Sequence, residues 1–361
     1  MKKILLFGYT LDIGGAEKVL VDIVNILNDK YEIDLALLKK QGEFFSKLPD
    51  NVNIFELRKN TLSYILFRYI PFFRKKKINK IANKKDYDVA IGFFEGRSAT
   101  WVADIKKYIR KIAWVHNDVE KFNIGISDKE AKDSYSKMDK IVLVSQKAKD
   151  NFCKKYNIEE SKVDVLYNLV NEKEIIEKSC EKINSENDKK FSFINVATMR
   201  KQKRQDRLIA IAKKLKDEKY DFIINIIGDG PEKENLKKLI VDYNVGDVVK
   251  LLGAKTNPYP YIKESDCFVL SSEFEGFGIA VKEALLLKKL VISTKVTGVE
   301  EMIGNNEYGI IVDNSLEALE KGMKDILDKK INTEKIIKNL DNFDSGNTEI
   351  INKLEKIIEG V

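Results

Sequence analysis

Two glutamates and two glycines within one stretch of nine residues could act together on a phosphate and a sugar. The sequence EGFGIAVKE begins at Glu275 and ends at Glu283. Gly276 and Gly278 allow a sharp turn, and the residues from Ile279 onward have the apolar spacing and composition of a helix. The first turn of a helix exposes free N–H groups and the positive end of the helix dipole, which together bind phosphate. The stretch therefore predicts an anion-binding loop followed by a helix.

The two carboxylates are suited to different groups. Glu283 lies about one and a half turns into the predicted helix, where its oxygens can accept hydrogen bonds from a vicinal diol such as a ribose. Glu275 lies in the loop, near the phosphate. A sugar nucleotide satisfies both, whereas a glycoside hydrolase needs both carboxyls to flank one glycosidic bond and fits less well. Two unrelated acids on a solvent-facing helix are the alternative from these residues alone.

The same stretch carries a family resemblance. Glu275 and Glu283, within EGFG and KEA, resemble the signature of the family-four retaining glycosyltransferases, also called glycosyl transferases group 1. The resemblance implies the α/β GT-B fold, in which two Rossmann-like doubly wound domains face each other across a cleft. It also implies a UDP- or GDP-linked sugar as the donor, with no metal or other cofactor. Glu275 would contact the sugar hydroxyls and steady positive charge at the anomeric carbon.

A cationic loop from Thr198 to Asp206 follows a predicted strand and opens a predicted helix. Basic side chains here would clamp a diphosphate and stabilise the charge that develops on a leaving group, although a solvated surface loop has the same composition. In the family this loop reads Gly-Arg…Lys-Gly, and Lys203 matches the lysine. Thr198 stands where the arginine is usual, so we expect Arg200 to replace it.

Further residues enter the donor site through the resemblance. The turn GDGPE, with Gly228 as its first residue, and the strand end at Lys255 match segments that pack around the nucleotide base in the family. The catalytic residues implied are Glu275, His116, Lys203 and Arg200. The residues implied to bind the donor are Glu283, Gly276, Phe277, Gly278, Ile279, Gly228 and Lys255.

Four candidate residues lie in the N-terminal half of the chain. The pair Gly14 and Gly15 separates a predicted strand from a predicted helix, which is typical of a phosphate loop or of a simple tight turn. GGAEKV also resembles the glycine loop that shapes the acceptor side in the family. A lone histidine is usually structural, but His116 ends a strand and resembles the family's W-x-H, whose histidine contacts the donor sugar. Glu95 ends another strand and could face the same cleft.

The elements that must position these residues alternate between short apolar strands and helical stretches. Such alternation predicts parallel sheets with helices on both faces, and sites at the carboxyl ends of strands. A chain of 361 residues exceeds what one core usually supports. From Ser315 onward the chain is predicted to be helical. We predict an acceptor-side domain over 1–175, a polar linker over 176–190, a donor-binding domain over 191–345, and a last helix over 346–361 that could return to the first domain.

The segment 64–85 combines aromatic and basic side chains. Its part from Arg68 to Lys85 contains eight basic residues and no acid. Aromatic residues beside a basic run suit the interface of an anionic membrane, where each Lys or Arg adds about 1 kcal/mol. A buried helix followed by a solvated basic turn is the alternative. No nucleic-acid motif accompanies the segment, so we predict no nucleic-acid partner.

The composition excludes several classes of site and location. A single histidine, His116, excludes a His-rich metal site. No uninterrupted apolar run approaches the roughly 18–20 residues of a membrane helix. Three cysteines without metal or redox spacing suggest a reducing compartment. We therefore expect a cytoplasmic protein that is peripheral on the inner face of the plasma membrane.

The expected reaction is the retaining transfer of a sugar from a nucleotide sugar to a saccharide acceptor. The segment 64–85 favours a lipid-linked oligosaccharide as the acceptor, as in the synthesis of bacterial capsule or other surface polysaccharide. The departure at Thr198 motivates an alternative, a non-catalytic GT-B subunit that supports a partner glycosyltransferase. A nucleotide-sugar epimerase on the same fold, which would need no acceptor, is a third interpretation.

Overall fold

The computed structural model describes residues 1–58, 60–183 and 190–361. The chain forms two compact units, the first made of Met1–Leu169 with Gly346–Val361 and the second of Val170–Ser345. Each unit contains one parallel sheet, with seven strands in the first unit and six in the second. The strands are apolar along almost their whole length because both faces of a parallel sheet are covered.

The strand order of both sheets begins 3-2-1-4-5-6, the order of a Rossmann fold, which confirms the prediction of two Rossmann-like doubly wound domains. The strands of the first unit are β1 Lys3–Gly8, β2 Glu32–Leu37, β3 Asn53–Glu56, β4 Val89–Gly92, β5 Arg110–Val115, β6 Lys140–Leu143 and β7 Val163–Val165. Those of the second unit are β8 Phe191–Val196, β9 Phe222–Ile227, β10 Val249–Gly253, β11 Cys267–Leu270, β12 Leu290–Thr294 and β13 Ile310–Val312. The spatial orders are β3-β2-β1-β4-β5-β6-β7 and β10-β9-β8-β11-β12-β13.

Helices connect the strands. They are α1 Gly15–Leu27, α2 Thr61–Tyr69, α3 Pro71–Ala82, α4 Arg97–Ala103, α5 Asp128–Tyr135, α6 Gln146–Tyr156, α7 Glu172–Lys178, α8 Gln205–Asp217, α9 Lys233–Asp242, α10 Tyr259–Glu264, α11 Ile279–Leu286, α12 Val299–Ile303, α13 Leu316–Leu327, α14 Thr333–Asn339 and α15 Asn347–Glu359. Among these described helices, none combines the length and the apolar character that crossing a bilayer requires.

The second sheet separates two apolar cores, and this arrangement sets the position of its strand ends. Along β11, Cys267 and Val269 belong to one core, whereas Phe268 and Leu270 belong to the other. The alternation follows from the two-residue period of a strand. Helix α8 packs in the first of these cores and α11 in the second. The loop that follows β11 therefore emerges between a layer containing α8 and a layer containing α11.

The last helix, α15, belongs to the first unit. Arg110 Nε donates a hydrogen bond to the carbonyl of Ile357 at 2.9 Å. Lys2 Nζ lies 2.6 Å from a carboxylate oxygen of Glu359, and Lys30 Nζ lies 2.6 Å from a carboxylate oxygen of Glu355. The chain thus leaves the first unit once and returns to it for its final helix.

The C-terminal region is not one continuous helix, so the prediction of helix from Ser315 onward is wrong in detail. Helices α13, α14 and α15 are separated by turns. The side chain of Asn332 accepts a hydrogen bond from the N–H of Lys335 at 3.0 Å and starts α14 as an N-cap. Gly346 has a φ of 69°, a left-handed conformation that interrupts helical geometry before α15.

The predicted linker over 176–190 lies partly outside the described residues, which omit 184–189. Its beginning is occupied by the end of α7. The side chain of Asn171 accepts a hydrogen bond from the N–H of Glu174 at 3.1 Å and caps this helix. The second unit begins at Val170, so α7 is part of it.

Candidate functional site

The segment between β11 and α11 holds the first group of candidate residues. Gly278 precedes α11 with a φ of 84°, in the left-handed region that favours glycine. A Cβ at this position would lie 2.6 Å from Cγ2 of Val299, so a larger residue does not fit without displacing its neighbour. The first N–H groups of α11 have no carbonyl partner within the helix, which makes this end suited to an anion.

Glu275 is held by an ammonium and a hydroxyl. Lys203 Nζ lies 2.6 Å from Oε1 and 2.6 Å from Oε2 of Glu275. Ser272 Oγ donates to Glu275 Oε1 at 2.6 Å. Glu275 is buried, with 7% of its surface exposed, so its charge depends on these partners more than on water. The structure thus brings two of the predicted catalytic residues into direct contact.

Further hydrogen bonds join the basic loop to the Glu275 loop. Ser271 Oγ donates to the carbonyl of Lys203 at 2.8 Å, and the N–H of Glu273 donates to the carbonyl of Gln202 at 2.8 Å. Arg204, where the family has glycine, adopts a left-handed φ of 49°, which glycine adopts most easily. The two loops therefore form one site at the carboxyl ends of the neighbouring strands β8 and β11.

Glu283 lies on α11 in a different environment. It is buried, and its Oε1 accepts a hydrogen bond from the phenol of Tyr259 at 3.1 Å. The preceding residue, Lys282, is 2% exposed, and burial lowers its pKa to about 8. Because Glu283 has a phenol as its partner and Glu275 an ammonium, the two carboxylates are suited to different groups of a substrate.

The strand end that holds Thr198 and Arg200 packs closely on the GDGPE turn. A Cβ on Gly228 would lie 2.0 Å from the carbonyl oxygen of Ala197, so glycine is required for this approach. The N–H of Arg200 donates to the carbonyl of Thr198 at 2.8 Å, and the side chain of Arg200 is exposed. Arg200 is therefore accessible to a phosphate, while Lys203 contacts Glu275.

The remaining donor-side candidates flank the same edge of the second sheet. Phe277 is buried, and Lys282 Nζ lies 5.8 Å from the centroid of its ring. Gly276 is also buried, and Ile279, the first residue of α11, is half-buried. Lys255 Nζ lies 5.4 Å from the ring centroid of Tyr261 on α10, the helix that also carries Tyr259. The candidates thus follow β8, β9, β10 and β11 at their carboxyl ends.

In the first unit, Glu95 and His116 meet after the neighbouring strands β4 and β5. Oε2 of Glu95 accepts a hydrogen bond from the backbone N–H of His116 at 3.1 Å. Oε1 accepts from Nδ2 of Asn117 at 2.6 Å. Burial raises the pKa of the Glu95 carboxyl. The two candidates are therefore tied through the backbone of His116 rather than through its ring.

The imidazole of His116 packs among aromatic rings. Its ring is parallel to that of Trp114 within 11°, with the centroids 5.8 Å apart, and its centroid lies 4.5 Å from that of Phe93. Burial lowers the pKa of His116 to about 3. The ring is therefore neutral near pH 7, when it can donate one hydrogen bond and accept another but is poorly suited to proton transfer.

Gly14 and Gly15 lie where β1 gives way to α1. Gly14 is the N-cap residue of this helix, and its carbonyl accepts a hydrogen bond from the N–H of Lys18 at 3.0 Å. A Cβ on Gly14 would lie 2.2 Å from Oε2 of Glu17, so the glycine leaves room for that carboxylate. The order of strand, glycine pair and helix agrees with the prediction. It places both glycines at the carboxyl end of a central strand of the first sheet.

Sequence reasoning missed three partners of the candidate residues: Ser272, Tyr259 and Asn117. Ser272 has a usable signal because it lies two residues after the end of β11, at the edge of a parallel sheet where sites form. Tyr259 has no such signal in the sequence, since an aromatic residue at the start of a helix is expected to belong to the core. Within the part of the chain that the structure describes, no three or more His, Cys, Asp or Glu side chains are grouped so that they could hold a metal ion.

Two family models match successive parts of the chain. The model described as Glycosyltransferase Family 4 matches residues 13–174, and the model described as Glycosyl transferases group 1 matches residues 177–343. All of the candidate residues fall within these matches. The chain belongs to the family-four glycosyltransferases. The resemblance given by Glu275 and Glu283 is thereby confirmed.

Curated relatives of this glycosyltransferase match it along most of their length. One is the N-acetylgalactosamine-N,N'-diacetylbacillosaminyl-diphospho-undecaprenol 4-alpha-N-acetylgalactosaminyltransferase of Campylobacter jejuni, 27% identical over 347 residues, which cover 91% of each chain. Another is an uncharacterized glycosyltransferase of Haemophilus influenzae, 24% identical over 335 residues, which cover 90% of each chain.

Solved glycosyltransferase structures share the fold. The Anabaena HepE protein in complex with UDP and glucose has a TM-score of 0.78 at 19% identity, with 99% of this chain and 100% of that chain covered. A Staphylococcus aureus TarM variant in a complex that includes UDP has a TM-score of 0.79 at 13% identity, with the same coverage. These likenesses show that the glycosyltransferase has the GT-B fold, as the sequence predicted.

Proposed function

We propose that this glycosyltransferase transfers a sugar from a UDP- or GDP-linked donor to a lipid-linked saccharide, with retention of configuration and without a metal. The observation that carries the proposal is the buried ion pair of Lys203 and Glu275 beside the N-terminal end of α11. A cation and free N–H groups suit a diphosphate leaving group, and a carboxylate suits the sugar attached to it.

The proposed mechanism is attack from the face of the leaving group. The acceptor oxygen forms a bond to the anomeric carbon as the bond from that carbon to the diphosphate breaks. The acceptor proton passes to the departing phosphate. The phosphate is stabilised by Lys203, Arg200 and the N–H groups of Ile279 and Ala280. These groups take the place of the charge that a metal would supply. Glu275 contacts the sugar hydroxyls and steadies positive charge at the anomeric carbon.

The nucleoside would lie against Glu283, Gly228 and Lys255. Glu283 accepts hydrogen bonds from the ribose diol, while the turns at Gly228 and Lys255 pack around the base. Tyr259 holds one oxygen of Glu283 and so orients the carboxylate. The UDP named in the HepE and TarM complexes supports uracil as the base.

The acceptor side would be formed in the first unit by Gly14, Gly15 and Glu95, together with the neutral imidazole of His116. The name of the C. jejuni relative specifies a saccharide on diphospho-undecaprenol as its acceptor. This supports a lipid-linked oligosaccharide as the acceptor here, in the synthesis of capsule or another bacterial surface polysaccharide.

The proposal is tested by incubating the protein with a UDP-sugar panel and undecaprenyl-diphosphate-linked saccharides, in buffer containing EDTA. We expect one acceptor to gain the mass of one sugar, with the donor's anomeric configuration retained in the product by NMR. A nucleotide sugar that is converted without an acceptor would identify an epimerase. Binding of a donor with neither reaction would favour the non-catalytic subunit that Thr198 motivates, and an inverted product would contradict the proposed mechanism.

The membrane contact that we propose involves the start of the segment 64–85. Phe67 is buried and packs on Trp101, with ring centroids 5.6 Å apart, so this aromatic belongs to the core. Ile78 and Ile81 on α3 are buried as well. Part of the segment is therefore buried, as in the alternative interpretation of a buried helix. Among the side chains of the segment that the structure describes, the exposed apolar ones are Ile65, Tyr69, Ile70, Phe72 and Phe73.

Vesicle flotation tests this contact. We expect the protein to float with vesicles that contain phosphatidylglycerol, because Phe72 is 68% exposed, Phe73 is 44% exposed, and basic residues follow them on α3. Phe72→Ser with Phe73→Ser should weaken binding by about tenfold or more. Tyr108→Ser, which changes an aromatic side chain exposed elsewhere on the unit, should have little effect. Wild-type protein that stays in the soluble fraction would end the proposal.

A further inference from the structure

Arg207 on α8 is a buried cation that the proposed mechanism does not use. It is 7% exposed, and burial lowers the pKa of its guanidinium. Its Nη1 donates to the carbonyl of Ser271 at 3.2 Å and to Oδ1 of Asn314 at 2.7 Å. Both acceptors are neutral. Burying a charged group is costly unless it is hydrogen-bonded and paired, so the burial of Arg207 is compensated by these two hydrogen bonds and by the attraction of the Asp206, Glu273 and Glu317 carboxylates.

Asn314, between β13 and α13, extends the contact to more of the same loop. Its Nδ2 lies 2.8 Å from the carbonyl oxygen of Glu273, 3.3 Å from that of Ser272 and 3.4 Å from that of Lys295. The hydroxyl of Thr294 also donates to the carbonyl of Ser272, at 2.6 Å. Together with Arg207, these donors hold the carbonyls of three successive residues, 271 to 273.

The loop held in this way is the one that carries Glu275. Its opposite side bonds to the basic loop, through Ser271 Oγ to the carbonyl of Lys203 and through the N–H of Glu273 to the carbonyl of Gln202. The distance between Glu275 and Lys203 therefore depends on the loop backbone, which Arg207 and Asn314 hold on the side opposite the basic loop. An amide and a guanidinium can do this because each supplies several N–H donors in a rigid plane.

We propose that Arg207 and Asn314 act as a pair of positioning residues that hold the loop 271–275 so that Glu275 meets the donor sugar. This inference rests on the proposed function for its effect on catalysis, but the hold on the loop is a property of the folded chain. Removal of Arg207 leaves the buried carbonyl of Ser271 without this donor, and removal of Asn314 takes a donor from the carbonyls of Ser272 and Glu273. Either change frees the loop to shift. A shift of about 1 Å at a reacting group can lower the rate by about 100-fold.

The test compares Arg207→Met, Asn314→Ala and the double variant. Each single change should lower kcat about 10- to 100-fold, with the donor KM changed less than about threefold, because Glu283 and its nucleotide contacts are left in place. The double variant should be little worse than either single variant, since the two residues act as a unit. Lys213→Met is the matched control, because it removes an exposed cation from the same helix.

Amide hydrogen exchange separates this hold on the loop from the proposed reaction. Peptides that cover 271–275 should exchange at least about tenfold faster in both single variants, while peptides from β9 keep wild-type rates. If a variant does not fold, Arg207→Lys and Asn314→Ser provide the same readout. Unchanged exchange in 271–275 would overturn the proposal, as would unchanged kcat in an active enzyme. If the variants exchange faster but the wild-type protein has no transferase activity, the proposed function is refuted. The role of Arg207 and Asn314 in holding the loop is then still supported.

Discussion

Replacement of Glu275 by glutamine is expected to lower kcat by about 100- to 1000-fold while the protein stays folded. Glutamine has the shape of glutamate and can still accept a hydrogen bond from Ser272, which lies 2.6 Å from Oε1. It lacks the negative charge that pairs with Lys203 and that we propose steadies the anomeric carbon. The loss should therefore fall on the chemical step and not on binding of the nucleotide.

Glu273→Gln is the matched control for this prediction. It removes a carboxylate two positions away on the same loop, but the Glu273 side chain is 58% exposed and its nearest cationic partner, Arg204, is 3.9 Å away. Initial-rate kinetics on both variants, with circular dichroism as the check on folding, give the comparison. Equal activity of Glu275→Gln and the wild type would remove Glu275 from the reaction and favour the non-catalytic interpretation.

Replacement of Lys203 by methionine is expected to reduce both turnover and stability. Without the ammonium of Lys203, the leaving phosphate would have one cation fewer near it in the proposed mechanism. This should lower kcat by about 100-fold or more. Glu275 then lacks the ammonium that lies 2.6 Å from it, in a site where 8% of its side chain is exposed. Removing one member of a buried ion pair typically costs about 3–5 kcal/mol of unfolding free energy.

Combining this change with Glu275→Gln separates the two effects. The double variant should recover much of the unfolding free energy, because no buried charge is left unpaired, but its kcat should stay low. Lys201→Met, at an exposed position two residues away, is the control and should behave as the wild type. Loss of stability in Lys203→Met with an unchanged kcat would make the ion pair a structural feature, and the mechanism would need another cation.

The strands could be predicted because the sequence codes for them locally, whereas their order in the two sheets follows from the fold that the family resemblance implies. The strand Phe191–Val196 is an example of local coding, since a buried parallel strand is a short apolar run with sharp ends. The breaks after α13 and α14 were missed because they depend on a capping asparagine, Asn332, and on Gly346, within a region of helical composition. The segment 64–85 stayed open between a membrane interface and a buried helix because composition alone does not tell that Phe67 on α2 is buried.

The candidate site could be predicted as motifs but not as contacts. The glycines at 228 and 278 mark close approaches of backbone that the structure contains. The partners of those motifs come from distant parts of the chain: Tyr259 holds Glu283, and Arg207 with Asn314 holds the loop of Glu275. In the sequence, nothing distinguishes these three residues from ordinary core or surface positions: they are a tyrosine at a helix start, an arginine inside a helix and an asparagine in a turn. Their roles arise when the sheet brings the strand ends together.

The most direct measurement for the central claim is the thermal shift produced by a panel of UDP-, GDP- and ADP-sugars on wild-type protein and on Glu283→Ala. We expect one donor, with UDP favoured, to raise Tm by several degrees at about 100 times its Kd. Glu283→Ala should lose most of this shift, whereas Glu273→Gln should keep it. Stabilisation by no member of the panel, or an equal shift in Glu283→Ala, would contradict the proposed donor site.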